Sequence, residues 1–273
     1  MLSLLYIKQE RFKNHNMHHI FITQDSINDD IVTISSKDDK ENFTHLKSSL
    51  RLNVGEKVRV SIADENIDFD YMTEAVVVNN DNIELSIIDK IKTNELKTKI
   101  NLYQGIPKKD IFEDIVDKSV ELGVYSITPM DSTNNVSKIT DDKAEKKLLR
   151  FNKIAKSAAE QSIRGIIPKI NDVLSFKEVI DKISNDKYNL LFYEDVKEFS
   201  KTEKIFDDLK KDNDNKKVVN VIIGPEGGFT KDEIVYAESK GISILSLGNR
   251  ILRVETATLT ALSYLNYILE GER

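Results

Sequence analysis

The chain has 273 residues, no cysteine, four histidines and a formal net charge of −6. Without thiols it has no disulfides, thiolate metal sites, iron–sulfur clusters or covalent cysteine mechanism, including the cysteine attack by which pyrimidine carbons are usually activated for methylation. The acidic balance counts against a nucleic-acid partner unless positive charge is concentrated locally.

In chain order, residues 1–16 lack the apolar stretch of a signal peptide, and no later run approaches the ~20 apolar residues of a membrane span. A soluble cytoplasmic protein is expected. Met17-His18-His19-Ile20-Phe21-Ile22 reads as a natural beginning, so Met17 is the expected start. Short β-rich runs at residues 20–22, 31–34, 58–62, 74–78 and 83–87, broken by Asn/Asp clusters, predict a small barrel. Its charge is negative, with eight basic against fifteen acidic residues over 17–92. His45, Lys47, Arg51, Lys57 and Arg59 form its one dense basic cluster, which is either an RNA footprint or a solvated face.

Residues 90–98 read as a linker. From Lys99 onward strands and helices alternate, which predicts an α/β layer with a mostly parallel sheet. The strands are expected at 99–103, 125–128, 189–193, 218–223 and 243–247. Capping-box spacing marks helix starts at Asp110/Glu113, Asp142/Glu145, Ser175/Glu178, Ser200/Glu203 and Thr230/Glu233. Ala144, Leu148, Phe151, Ala155 and Ala158 recur at helical spacing in a long helix ending near Gln161, and residues 210–217 read as a surface loop. The last helix is apolar on more than one face, so it either packs on its own sheet while offering a face to a second subunit or is enclosed within one chain. All four histidines (His15, His18, His19, His45) lie early, so the second half has no imidazole for catalysis or metal binding.

Two loops stand out. Gly224-Pro225-Glu226-Gly227-Gly228-Phe229-Thr230 and Leu247-Gly248-Asn249-Arg250-Ile251-Leu252-Arg253-Val254-Glu255-Thr256-Ala257 each leave an apolar strand and enter a helix. Strand-end amides are free there for a ligand, and glycine admits it close to the main chain. Neither loop has a Gly-Lys-Ser/Thr ending or a Gly-x-Gly-x-x-Gly, so nucleoside triphosphate and NAD sites fit poorly. Glu226 is either a functional carboxylate at the sheet edge or a cap. Leu247, Ile251 and Leu252 either flank an adenine or pack in the core. Only eight arginines occur in this Lys-rich chain, and Arg164, Arg250 and Arg253 fall within distinctive motifs, where they serve recognition or pin loops by ion pairing.

Together with Gln104-Gly105-Ile106-Pro107-Lys108-Lys109-Asp110, Lys118-Ser119-Val120-Glu121-Leu122-Gly123-Val124, Pro129, Ala159-Glu160-Gln161-Ser162-Ile163-Arg164 and the stretch from His45 to Glu56, these loops resemble the ribosomal RNA small subunit methyltransferase E family of the knotted SPOUT class. The likeness runs from about Met17 to the end. It implies a PUA-like β-barrel RNA-binding domain over 17–92 and a C-terminal trefoil-knotted SPOUT methyltransferase domain over 95–273. It also implies a homodimer that methylates uridine N3 in 16S rRNA, within the 30S subunit, with S-adenosylmethionine and no metal. The implied cofactor residues are Leu191, Phe192, Gly224, Pro225, Glu226, Gly227, Gly228, Leu247, Gly248, Arg250, Ile251, Leu252, Thr256 and Ala257. RNA binding is expected of His45, Lys47, Arg51, Lys57, Arg59 and Arg164. At Asn134-Asn135 the chain departs from the Arg-Ser pair of its relatives, removing a cation from the expected mouth of the site.

A fixed guanidinium favours a deprotonated imide ring, so Arg253 is the expected catalytic residue, with Glu226 or Glu255 orienting it or relaying the proton. Two rivals stay open: a knotted ribose 2′-hydroxyl methyltransferase, and a non-catalytic RNA-binding adaptor.

Overall fold

The computed structural model describes residues 17–64, 67–136, 141–196, 199–212, 214 and 217–269. Residues 1–16, Ser137 and the side chain of Asp142 lie outside them, as do three residues of the expected 210–217 loop. The chain divides into two compact units, one running to Glu95 with Ile163–Ile166 added, the other comprising Leu96–Ser162 and Ile167–Arg273. No helix among the described residues is long and apolar enough to cross a membrane.

The first unit is a six-stranded mixed sheet in the order β1-β4-β5-β6-β3-β2. Its strands are β1 (His18–Ile22), β2 (Ile27–Asn28), β3 (Ile31–Ser35), β4 (Lys57–Ile62), β5 (Phe69–Val78) and β6 (Asn82–Lys92). β1 and β4 pair in parallel and the remaining ladders are antiparallel. Alternation sends Ile20, Ile22, Val32, Ile34, Val58, Val60, Ile83 and Leu85 into one apolar core, closed by Leu46 and Leu52. The β5–β6 hairpin extends to Phe69 opposite Lys92, so the start of the expected linker is strand; the Lys90 ammonium sits 4.8 Å from the Phe69 ring centre.

Beneath this sheet lies a buried polar network. Asp70 accepts from Arg59 Nε at 2.7 Å and Nη2, and from Ser61 Oγ at 2.6 Å; Ser61 Oγ in turn lies 2.8 Å from His19 Nε2. Arg59 is 6% exposed and Asp70 1%. The expectation that Arg59 contacts RNA is therefore corrected: its guanidinium is buried and taken up in pairing with a buried carboxylate. Arg164 needs the same correction. It is 5% exposed and grips Glu95 through Nε–Oε1 at 2.8 Å and Nη2–Oε2 at 2.6 Å, a bidentate fork to which the Gly165 amide adds a third bond.

The second unit is a seven-stranded parallel sheet in the order β10-β8-β7-β12-β11-β13, with β9 also on β8. Here β7 is Lys99–Gly105, β8 Ser126–Asp131, β9 Lys169–Ile170, β10 Leu174–Ser175, β11 Tyr188–Phe192, β12 Val218–Ile223 and β13 Ser243–Leu245. Tyr103, Leu191 and Ile222 share a cluster with helices Phe176–Ile183 and Lys231–Ser239, while Ile100 and Leu102 are as deeply buried on the alternate face. Helices therefore cover both faces.

Ser126, Asn101, Asn220 and Asn189 stand level on β8, β7, β12 and β11 and form a hydrogen-bonded ladder, with separations of 2.8, 3.1 and 2.8 Å. A one-residue slip of any strand would orphan its amide, so the ladder fixes register.

Two expected capping boxes are present, at Ser175/Glu178 and Thr230/Glu233. Two are not: helix Lys109–Glu121 is capped by Lys108 and helix Ser200–Lys211 by Phe199, so Asp110 and Ser200 fall inside the first turn. Helix 200–211 also takes in the start of the expected surface loop, and Lys217 at its end is buried, donating to the Asp212 carbonyl.

Candidate cofactor and substrate site

The chain crosses from β8 and β10 on one side of the sheet to β11 on the other, then inserts β12 between β7 and β11. Strand order thus reverses beside β7, and carboxyl ends at such a point leave a crevice with free backbone groups. The loops after β7, β11, β12 and β13 meet there.

The loop after β12 is shaped by glycine at close approaches. A Cβ on Gly105 would lie 2.6 Å from Pro225 Cδ and 2.7 Å from the Gly224 carbonyl carbon, so the end of β7 touches the loop through backbone. Gly228 has φ +63° and donates its amide to Pro225 O at 2.9 Å, closing a turn; Thr230 then caps helix Lys231–Ser239. Gln104, fully buried, lies beneath. Its Nε2 reaches Gly105 O at 3.0 Å and Gly224 O at 3.4 Å, and its Oε1 lies 2.6 Å from the Thr258 hydroxyl on the last helix, Val254–Leu269. One carboxamide therefore joins the glycine loop to that helix. Next to it, burial, reinforced by the negative charge of Asp186, pushes the Tyr103 hydroxyl up to about 12, so it is neutral at ordinary pH.

A cavity of about 500 Å³ opens between these loops. Its walls include Phe192, Gly224, Pro225, Glu226, Gly228, Ile251, Leu252, Arg253, Glu255 and Ala257 from the sequence analysis. A side cavity of about 70 Å³ is lined by Leu247, Gly248 and Arg250, and shares Phe192, Glu194, Leu252 and Ala257 with the first. Thr202 Oγ1, 3.1 Å from both the amide and carbonyl of Ser246, fixes the loop after β13. Three expected residues line neither cavity: Leu191 is core, Gly227 faces Asn134, and Thr256 points to solvent from the first helical turn. Nor do Leu247, Ile251 and Leu252 flank a single slot. Leu247 belongs to the side cavity, Ile251 is 87% exposed at the rim of the larger one, and only Leu252 borders both.

Arg253 is exposed, and no described residue pairs with its guanidinium. Glu226 Oε1 accepts the amide of Lys108, the residue just before helix 109–121, at 3.0 Å, and Glu226 lines the cavity. Glu255 lines the wall in the first turn of the last helix, whose positive end faces the cavity. Sequence reasoning missed Lys108 and Glu194, which add an ammonium and a carboxylate to the walls. Lys108 stood within the quoted motif after β7, and Glu194 two residues beyond Phe192, but only the strand order brings them together.

In the first unit, Lys47 is half-buried, donating to Asn80 Oδ1 at 2.7 Å and to Asn79 O, and His45 is half-buried in the turn at 45–49. Arg51, with φ +54°, and Lys57 are exposed. Asn134 and Asn135, in place of a cation, bond to the backbones of Gly227, Gly228 and Met130.

A family profile described as RNA methyltransferase domain matches residues 94–266. The chain is 35% identical over 241 residues to ribosomal RNA small subunit methyltransferase E of Bacillus subtilis (strain 168), covering 85% of this chain and 91% of the relative. It is 38% identical over 228 residues to the protein of that name from Mesomycoplasma hyopneumoniae (strain 232), covering 82% and 94%. Among solved structures it is similar to a ribosomal RNA small subunit methyltransferase E from Neisseria gonorrhoeae bound to S-adenosyl methionine, with TM-score 0.76, 26% identity, and 92% and 98% of the two chains covered. A Legionella pneumophila protein solved in complex with the same cofactor aligns with TM-score 0.76 at 27% identity, covering 92% and 97%.

Proposed function

The chain belongs to the ribosomal RNA small subunit methyltransferase E family, and from that premise we propose that it is an S-adenosylmethionine-dependent rRNA methyltransferase acting on N3 of a uridine in 16S rRNA. The observation that carries the reading is the cavity at the reversal of strand order, where the glycine loop, Leu252 and Arg253, unpaired among the described residues, converge. Its size is within the ~300–1,000 Å³ of ligand pockets, and it combines apolar walls with backbone amides and carboxylates, which suits an adenosine bearing a cationic amino acid.

The cofactor supplies a sulfonium methyl already activated for displacement. The protein has to hold the acceptor nitrogen in line with it and ease loss of the imide proton. Arg253 faces the negative charge that develops on the ring, and its planar fork costs no reorganisation at that moment. Glu255 and Glu226 are the carboxylates positioned to orient Arg253 or take the proton. Lys108 adds a cation at the mouth, where the Asn134 position has none.

The same reading takes the second unit as a knotted SPOUT domain and the first as a PUA-like RNA-binding barrel, with domains at 17–92 and 95–273. It assigns RNA contact to His45, Lys47, Arg51 and Lys57, and the 30S subunit in the cytoplasm as the form in which the substrate is presented. Dimerisation through the last helix is supported by the exposure of Tyr264 (42%) and Tyr267 (82%), apolar rings that a second copy would cover. Titration with S-adenosylmethionine, followed by calorimetry and by melting, tests the cofactor step. Saturable binding with a concentration-dependent rise in Tm is expected; indifference at millimolar cofactor refutes the reading.

A further inference from the structure

The glycine loop after β12 is held from outside by the turn that follows β8. Asn134 Nδ2 donates to Gly227 O at 3.0 Å and to Gly228 O at 3.3 Å. The two segments touch so closely that a Cβ on Gly227 would lie 2.8 Å from Asn134 Cβ and 2.9 Å from its carbonyl oxygen. Beside it, the Thr133 amide and hydroxyl lie 2.9 and 3.1 Å from Glu233 Oε1, while Glu233 Oε2 accepts the Thr230 amide at 2.8 Å. The turn itself is anchored through Asn135, whose Nδ2 reaches Met130 O at 3.1 Å and Asp131 Oδ1 at 3.0 Å.

Two adjacent glycines have the widest conformational freedom of any dipeptide, and Gly228 uses it at φ +63°. A single amide bonded to both of their carbonyls fixes two successive peptide planes. Gly228 lines the cavity and Asn134 does not, so the carboxamide acts on the site through the loop. Asn suits the task because it donates; an aspartate of the same shape would set a negative oxygen against two carbonyl oxygens.

We propose that Asn134 is a positioning residue for cofactor binding: its carboxamide holds the Gly227 and Gly228 peptide planes in the orientation that forms the cavity wall. The inference rests on the cofactor reading above. It predicts that N134A in the full-length protein raises the Kd and KM for S-adenosylmethionine about tenfold, the equivalent of losing two ordinary hydrogen bonds. At saturating cofactor, kcat is retained, because Arg253 and the acceptor pocket are untouched. N134D weakens binding further. In the absence of ligand, both variants exchange the amide hydrogens of residues 226–229 faster than native protein, with little change in Tm, since the turn is at the surface.

Calorimetric titration of native, N134A and N134D protein, paired with hydrogen exchange and melting of the unliganded forms, decides it. Weaker binding together with faster exchange confined to the loop supports the proposal. Native-like affinity in both variants overturns it while leaving the cofactor reading intact. A fall in Tm with unchanged loop exchange also overturns it, marking Asn134 as a general structural residue. Native protein that ignores the cofactor overturns the cofactor reading and this inference with it.

Discussion

Gly105→Ala tests how the end of β7 builds the site. The new Cβ would lie 2.6 Å from Pro225 Cδ and 2.7 Å from the Gly224 carbonyl carbon, whereas carbon atoms in contact stand ~3.5–4 Å apart. The glycine loop must therefore withdraw by about 1 Å. Both obstacles belong to the backbone or the Pro225 ring, so no rotamer change relieves them, and the Gln104 bond to Gly224 O, already 3.4 Å long, is lost with the movement. Overpacking of this kind costs about 1–3 kcal/mol. A displacement of about 1 Å at a reacting centre costs on the order of 10² in rate. Thermal melting and single-turnover methyl transfer on the same sample should show a modest fall in Tm and a roughly hundredfold slower transfer. A G105A protein with native Tm and native rate would refute the steric argument.

Arg253→Lys should keep the fold and cofactor binding yet lose on the order of 10²–10³ in single-turnover rate, since an ammonium cannot reproduce the planar fork; near-native turnover would remove Arg253 from the mechanism. Arg59→Ala should destabilise the first unit by about 3–5 kcal/mol in chemical denaturation by leaving the buried Asp70 carboxylate without its guanidinium partner, with cofactor affinity unchanged. Joint replacement of Lys47, Arg51 and Lys57 by Ala should weaken RNA binding and reduce the slope of log K against log salt, by roughly 0.7 for each single-strand phosphate no longer neutralised, and an unchanged slope would make that face a bystander.

Much of the second unit was legible because its strands are mostly apolar, β-branched-rich runs bounded by glycine and capping residues, as at Val218–Ile223 and Thr230. Family membership was readable from the two loops for the same reason: they are contiguous in sequence. What stayed hidden depends on how strands pair. Arg59 stands level with Met72, and its carboxylate partner Asp70 is the diagonal neighbour on β5, so a basic residue that reads as surface is buried with its counter-ion. Arg164 is neutralised by Glu95, 69 positions away. Spacing pointed to five capping boxes, but backbone geometry starts two of the helices at Lys109 and Ser200, so Asp110 and Ser200, expected as caps, lie in the first turn. Lys108, Glu194 and Asn134 join the site only because β12 is inserted between β7 and β11. Asn134 read as a lost cation, and its structural role is as a donor to the glycine loop.

Whether the methyl group goes to a uridine N3 is read from where it ends up on the rRNA. Native protein is incubated with S-adenosylmethionine labelled in its methyl group and with 30S particles lacking the modification. The 16S rRNA is then digested to nucleosides and the label assigned by mass spectrometry against standards. Label is expected in N3-methyluridine alone, at one site, and sharply reduced with Arg253→Lys. Label on a ribose 2′-oxygen, or cofactor binding with no transfer to rRNA, would contradict it.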